Sequence, residues 1–365
     1  MGPLHGLKII ELAGLGPGPF CGMLLADMGA DLVCVDRHQD RPIFDPSTDI
    51  TRRGKRSILL DLKSAGGRET LLSLVARADG LFEGYRPGVM ERLGLGPEDC
   101  FKINPRLVYG RMTGWGQTGP LAQVAGHDIN YIGLNGALFA TGVAGGPPTP
   151  PVPPLGDFGG GAMFLAFGMV CALLEAQKSG QGQVVDAAMT EGSALLMTSL
   201  YSLMAQGNWS TERGTNLIDG GAHFYGVFAT SDHQYICIGA LEPQFYQLLL
   251  QKIGADKKDF PAQYERKHWP RLKEQMADIF LSRTREEWCS LLEGTDVCFA
   301  PVLDMLEAPH HPHNLARQSY VEIGGHLQPA AAPRFSRTPA KTGFAPHQPG
   351  SDWEQVMADW GVVQH

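Results

Sequence analysis

Over its first 115 residues the chain alternates short apolar runs with segments of helical periodicity, and this alternation leaves few folds open. Leu7–Leu12, Asp31–Asp36, Ser57–Leu62, Leu81–Tyr85 and Leu107–Met112 read as strands. Phe20–Met28 is helix-like, and Arg68–Ala78 places apolar residues at 71, 72, 74, 75 and 78, the spacing of one helical face. Strand–helix–strand alternation predicts a mostly parallel sheet covered by helices on both sides, an α/β, Rossmann-like domain.

Beyond it, a Gly- and Pro-rich loop spans 142–155, a buried helix is expected near 160–177, a strand at Gln183–Val185, and a long apolar helix from about 187 to 206. The character changes near Gly220. Phe224–Thr230 and Gln234–Gly239 flank Ser231-Asp232-His233, a hairpin signal, and helices are predicted at Gln244–Ile253, Trp269–Leu281 and Thr284–Leu292. Thr284 and Glu287 open the last of these as a capping box. The expected organisation is a large Rossmann-like domain from 1–190 and 330–365, a linker helix over 191–222, a smaller α+β domain over 223–312, and a return linker over 313–329. The Pro-, Ala- and His-rich stretch 313–350 reads as a surface linker, followed by a short helix at Asp352–Trp360.

The turn after the first strand, Gly14-Leu15-Gly16-Pro17-Gly18-Pro19, imitates a dinucleotide fingerprint, with Asp36 ending the next strand. Its spacing is wrong, and Pro17 and Pro19 lack backbone N–H groups that a pyrophosphate would use, so a tight strand-to-helix turn is expected instead. A net charge of −8 argues against a nucleic-acid partner. The seven cysteines show no CxxC spacing, which predicts reduced thiols and no metal site. No signal peptide is recognisable, and the run Gly159–Leu174 is short for a membrane span, so a cytoplasmic protein without a membrane span is expected.

The chemistry is carried by longer strings: EGYRPGVMERLGLGP at 83–97, RMTGWGQTGP at 111–120, AGHDINY at 125–131, GDFGGG at 156–161 and EPQFY at 242–246. With ELAGLGPGPFC, ADMGADLVCVDR, LDLK, GQVVDAAM, RGTNLIDGGA, TDVCFAPVL and PRFSRTP they run along essentially the whole chain. In these strings the sequence resembles the family III CoA-transferases, and within that family the α-methylacyl-CoA racemases.

The resemblance implies a 2-methyl-branched acyl-CoA as substrate, no metal, no separate cofactor, and an interlocked homodimer. It places an acid/base pair at His127 and Asp157 on opposite faces of the α-carbon, with Glu242, reached from the partner subunit, orienting the histidine. For CoA it implies Arg37, the stretch Leu60, Asp61, Leu62 and Lys63, the stretch Gly84, Tyr85 and Arg86, Arg92, and Gly126 with Asp128, Ile129, Asn130 and Tyr131. The residue types suit the chemistry. Two-face proton transfer needs two groups in opposite protonation states, which a His and a carboxyl with a raised pKa supply. Asp157 precedes three glycines and an apolar helix, so it is expected at a helix N-terminus, where backbone N–H groups can hold an enolate oxygen.

Other readings stay open at this point. Taken singly, a His is usually structural, an Asp before glycines is usually a cap, and Glu242 before Pro243 can simply start a helix. The basic run Arg52, Arg53, Lys55 and Arg56 can draw CoA phosphates or form a solvated loop. A CoA-transferase would use Asp157 as a nucleophile and need no His127; an idle CoA-binding protein would exchange no proton. Two positions depart from the racemase pattern: Pro151-Val152-Pro153-Pro154 before the aspartate, and His223 where the family usually has proline, a titratable group if it lines the acyl channel.

Overall fold

A computed structural model describes residues 2–37 and 45–362. Its larger unit comprises residues 1–135, 152–196 and 316–365. Six parallel strands form the sheet: β1 (Lys8–Leu12), β2 (Asp31–Asp36), β3 (Arg56–Leu59), β4 (Gly80–Glu83), β5 (Val108–Thr113) and β6 (Val184–Ala188). Their spatial order is β3-β2-β1-β4-β5-β6, so the direction of winding reverses between β1 and β4. In open α/β sheets, ligands bind beyond the carboxyl ends of the strands at such a reversal.

The apolar runs are continuous because the strands are covered on both faces. Alternate residues go to opposite layers. Ile10, Val33, Leu81 and Tyr109 pack with Leu71, Leu74 and Trp360, from helices Ala65–Val75 and Trp353–Trp360. Ile9, Leu32, Phe82 and Val108 pack with Leu25, Leu165 and Met169, from helices Pro17–Asp27 and Met163–Ser179.

The second unit comprises residues 136–151 and 197–315. Here β7 (Tyr225–Ala229), β8 (Tyr235–Gly239) and β9 (Phe299–Val302) form an antiparallel sheet. Helices Pro243–Ile253, Trp269–Phe280 and Arg285–Leu292 bury Leu249, Leu272, Phe280, Trp288 and Leu292 with Phe224, Phe228 and Ile236. The capping box at Thr284 is present, with the Glu287 backbone N–H on the Thr284 hydroxyl at 3.2 Å and the Thr284 N–H on the Glu287 carboxylate at 2.8 Å.

Several elements differ from the sequence reading. The segment 136–151 packs with the second unit, whereas the sequence placed it in the large domain. The long helix expected over 187–206 is two helices, Met189–Leu196 and Thr198–Ala205. They meet at Met197 (φ −83°, ψ 2°), whose carbonyl accepts from the Leu200 N–H in a tighter turn. The return linker contains a hairpin, β10 (Tyr320–Ile323) with β11 (His326–Pro329). Gly324 and Gly325 both have positive φ there, the signature of a two-residue I′ turn. The expected buried helix begins as a wide π-helical stretch at Pro154–Ala162 and continues as Met163–Ser179, and Phe167 and Leu174 point outward. Among the described residues this Pro154–Ser179 stretch alone is long and apolar enough to cross a membrane, and Leu165, Met169, Ala172 and Leu173 of it are buried against the sheet layer.

Candidate active site

A cleft of about 440 Å³ opens at the point where the winding reverses. Its walls come from the carboxyl ends of three strands: Leu12, Gly14, Leu15, Pro17 and Gly18 at and after the end of β1, Phe82 to Pro87 at the end of β4, and Met112 to Trp115 at the end of β5. Ala122 and the segment Val124 to His127 close one side, with Tyr131.

His127 is the N-cap of helix Asp128–Leu134 (φ −132°, ψ 172°). Its backbone N–H donates to Asn130 Oδ1 at 3.0 Å, and its carbonyl accepts from the Asn130 N–H at 2.8 Å. Asp157 lies in the first turn of the π-helical stretch, half-buried. Its backbone N–H donates to Asp128 Oδ2 at 2.7 Å, which ties the aspartate segment to the residue following His127. A side chain at Gly16 would stand 2.8 Å from Asp157 Oδ2, and Gly16 has φ +69°, so only glycine fits this approach. The glycine-rich turn that imitates a dinucleotide fingerprint therefore makes room for a carboxylate.

Burial raises the Asp157 carboxyl to about 6, the neighbouring Asp128 charge adds to the rise, and His127 opposes it. A carboxyl at that value exchanges a proton readily near neutral pH, which is what an acid/base pair requires. Glu83, the last residue of β4, also faces the cleft. It is buried, and its Oε2 accepts the Tyr85 N–H at 2.6 Å. Desolvation pushes it up to about 7, while the Tyr85 N–H and Arg111 pull it down and Glu91 pushes it up. Sequence reasoning did not single out Glu83, although a carboxylate ending a strand beside the reversal was a usable signal.

Of the other expected residues, Gly84, Tyr85, Arg86, Gly126 and Tyr131 line the same cleft as His127. Arg37 follows β2, exposed, and its charge acts on the Tyr85 phenol. Leu60 and Asp61 follow β3 and line a separate shallow cleft of about 280 Å³ with Ser64 and Trp353; Leu62 and Lys63 sit in the same turn, where the Lys63 N–H donates to Asp61 Oδ1. Adjacent strands stand roughly 4.8 Å apart, so from β3 to β5 these residues follow about 19 Å of sheet edge. Arg92 ends helix Val89–Arg92 and is exposed, outside the cleft. Asp128, Ile129 and Asn130 do not line it either: Asp128 is bonded to Asp157, Asn130 to His127, and Ile129 is exposed.

The basic run is no phosphate lure. Arg52 pairs with Asp36, Arg53 with Asp27, Lys55 with Glu11, and Arg56 with Asp31 and Asp359. Arg53 and Lys55 are buried, so these cations close the sheet layers rather than face solvent. Glu242 lies in the second unit as the exposed N-cap of helix Pro243–Ile253. His223 lines no open channel in that unit. It is fully buried among Phe224, Tyr246 and Phe260, and its Nε2 is 2.7 Å from the Tyr246 hydroxyl. Burial lowers it to about 4, so it is neutral at physiological pH.

Fold and cleft together define a doubly wound α/β protein with a carboxylate and an imidazole at the sheet's switch point. The chain belongs to CoA-transferase family III, whose model matches residues 4–353. It is 45% identical to "Alpha-methylacyl-CoA racemase" of Mus musculus over 99% of this chain and 94% of that protein. It is 42% identical to the protein of the same name from Homo sapiens, over 98% and 93%. Among solved structures it superposes on a CAIB/BAIF family protein from Brucella suis with a TM-score of 0.85, at 24% identity and over 98% and 99% of the two chains.

Proposed function

We propose that this protein is an isomerase that interconverts (2R)- and (2S)-2-methylacyl-CoA thioesters. One member of the His127/Asp157 pair removes the α-proton, and the C–H electron pair passes into the thioester carbonyl to give an enolate. The other member then delivers a proton to the opposite face, and the C–H bond re-forms with inverted configuration. The observation that carries this reading is Asp157: a half-buried carboxyl, raised to about 6, that feels the charge of His127 and is tied through its own N–H to Asp128, while His127 itself lines the cleft at the sheet's carboxyl edge. The enolate oxygen needs hydrogen-bond donors; Pro154 has no N–H and the Asp157 N–H is held by Asp128, so the role is assigned to the Leu155 and Gly156 N–H groups at the start of the Pro154–Ala162 stretch. The CoA moiety is assigned to the edge residues from Leu60 to Arg86, with Arg37. Glu242 is assigned, on the family resemblance, to orienting the His127 imidazole from a second copy of the chain. The relatives' shared name supports the substrate class.

The test starts from one pure epimer of a 2-methylacyl-CoA and follows the epimer ratio. The reading predicts drift toward a near-even mixture from either side. A fixed ratio, with CoA passing instead to an added carboxylic acid, would assign Asp157 to nucleophilic transfer.

A further inference from the structure

The family resemblance gives Asn130 and Tyr131 to CoA, but the structure commits both to the peptide segment that carries His127. The Tyr131 hydroxyl donates to the Gly126 carbonyl, one peptide before His127. Asn130 Oδ1 accepts the His127 N–H at 3.0 Å. Two residues before Gly126, the Val124 carbonyl accepts from Trp115 Nε1 at 3.1 Å. The rings of Trp115 and Tyr131 meet edge to face, with centroids 4.8 Å apart. The Tyr131 ring packs directly on two glycines: a Cβ at Gly114 would fall 2.0 Å from it and one at Gly126 2.7 Å, so only glycine at these positions leaves room for the ring. Gly114 is itself anchored, its carbonyl accepting from the Thr190 N–H at 3.1 Å. Tyr131 is buried, so most of its ring is unavailable to a ligand.

We infer that Trp115, Asn130 and Tyr131 form a clamp that positions the His127 imidazole, with Tyr131 as its central member. This rests on the two-base reading above. The hydrogen bonds fix three points of the backbone between Val124 and His127, so the remaining freedom of the imidazole is its own side-chain rotation. A reacting group displaced by about 1 Å can lose on the order of 100-fold in rate. Asp157 is held separately, through its own N–H on Asp128. Loosening the clamp therefore weakens one face of the reaction and spares the other.

The experiment uses the full-length protein in D₂O with each epimer of a 2-methylacyl-CoA, comparing wild type, Tyr131→Phe and Asn130→Ala. Inversion, deuterium incorporation with retained configuration, and binding of CoA by calorimetry are measured side by side. Both variants are expected to lose roughly 10- to 100-fold in inversion. Exchange with retention should persist for the epimer whose proton faces Asp157, and CoA affinity should stay within twofold of wild type. Wild-type inversion in both variants would overturn the clamp. So would an unchanged kcat with weakened CoA binding, which would return Tyr131 and Asn130 to the CoA site. A wild type that inverts neither epimer would instead sink the racemase reading, a separate result.

Discussion

Each unit holds a titratable side chain whose pKa burial has moved, and the two have opposite uses. Asp157 in the larger unit is half-buried and raised to about 6, toward working pH. His223 in the second unit is fully buried and lowered to about 4, away from it. Desolvation is the leading cause in both, because it disfavours the charged form of either group. The surroundings make the difference. Asp157 feels a like charge from Asp128 and an opposing one from His127, and stands against the glycine of a strand–helix turn. His223 has aromatic rings around it and one hydroxyl partner, Tyr246. A displaced pKa marks a reactive group when charged neighbours and access accompany it, and a core residue when they do not.

The largest test of this contrast replaces each group. Asp157→Asn should cost at least about 10³-fold in inversion, the scale of a positioned acid/base group, with little change in thermal stability. His223→Gln, which keeps a hydrogen-bond partner for Tyr246, should leave inversion within a few-fold. If the two variants lost activity alike, the contrast would be wrong.

Stability against pH sharpens it. The folded state disfavours protonated His223, so its contribution is complete above the unfolded value near 6.5 and is lost as pH falls from there to about 4. The loss amounts to roughly 3 kcal/mol, measurable as a smaller acid destabilisation in His223→Gln than in wild type by urea unfolding. Glu83 carries the opposite sign. Its folded pKa of about 7 lies above the model-peptide value, so its contribution is complete below about 4.5 and is lost as pH rises through 7. The advantage of Glu83→Gln over wild type should therefore grow by roughly 3 kcal/mol between pH 4 and pH 8 in the same assay. No growth would mean that Arg111 already compensates the buried carboxylate.

The smallest expected effect concerns Asp128. As pH drops through about 6, Asp157 becomes protonated and can no longer take the α-proton, so kcat/KM for the epimer whose proton faces it should fall. Asp128→Asn keeps an acceptor for the Asp157 N–H but removes the charge that adds to the rise caused by burial. The acidic limb of the profile should move to lower pH, and a stationary limb would dismiss the Asp128 charge as a cause.

What was legible in the sequence divides along physical lines. β1, β2, β4 and β5 could be read within two residues because strands buried on both faces must be unbroken apolar runs. Their parallel pairing followed from the helices between them. The β10–β11 hairpin was hidden by its polar, proline-rich setting, although Gly324-Gly325 marked the turn. The fate of the basic run was not readable, because its partners are remote in sequence: Lys55 finds Glu11, and Arg53 finds Asp27. The same holds at the site. His127 and Asp157 stand out only inside long family strings. The bond from Asp157 to Asp128 and the closeness of Gly16 to the carboxylate depend on how strand ends converge.

The most direct test of the central claim, that His127 and Asp157 serve opposite faces of one carbon, is stereospecific α-proton exchange in D₂O by His127→Ala and Asp157→Asn. Each variant is predicted to abolish inversion while exchanging the proton of one epimer only, and the two variants should select opposite epimers. Inversion by His127→Ala at the wild-type rate, or loss of exchange from the same epimer in both variants, would contradict the account.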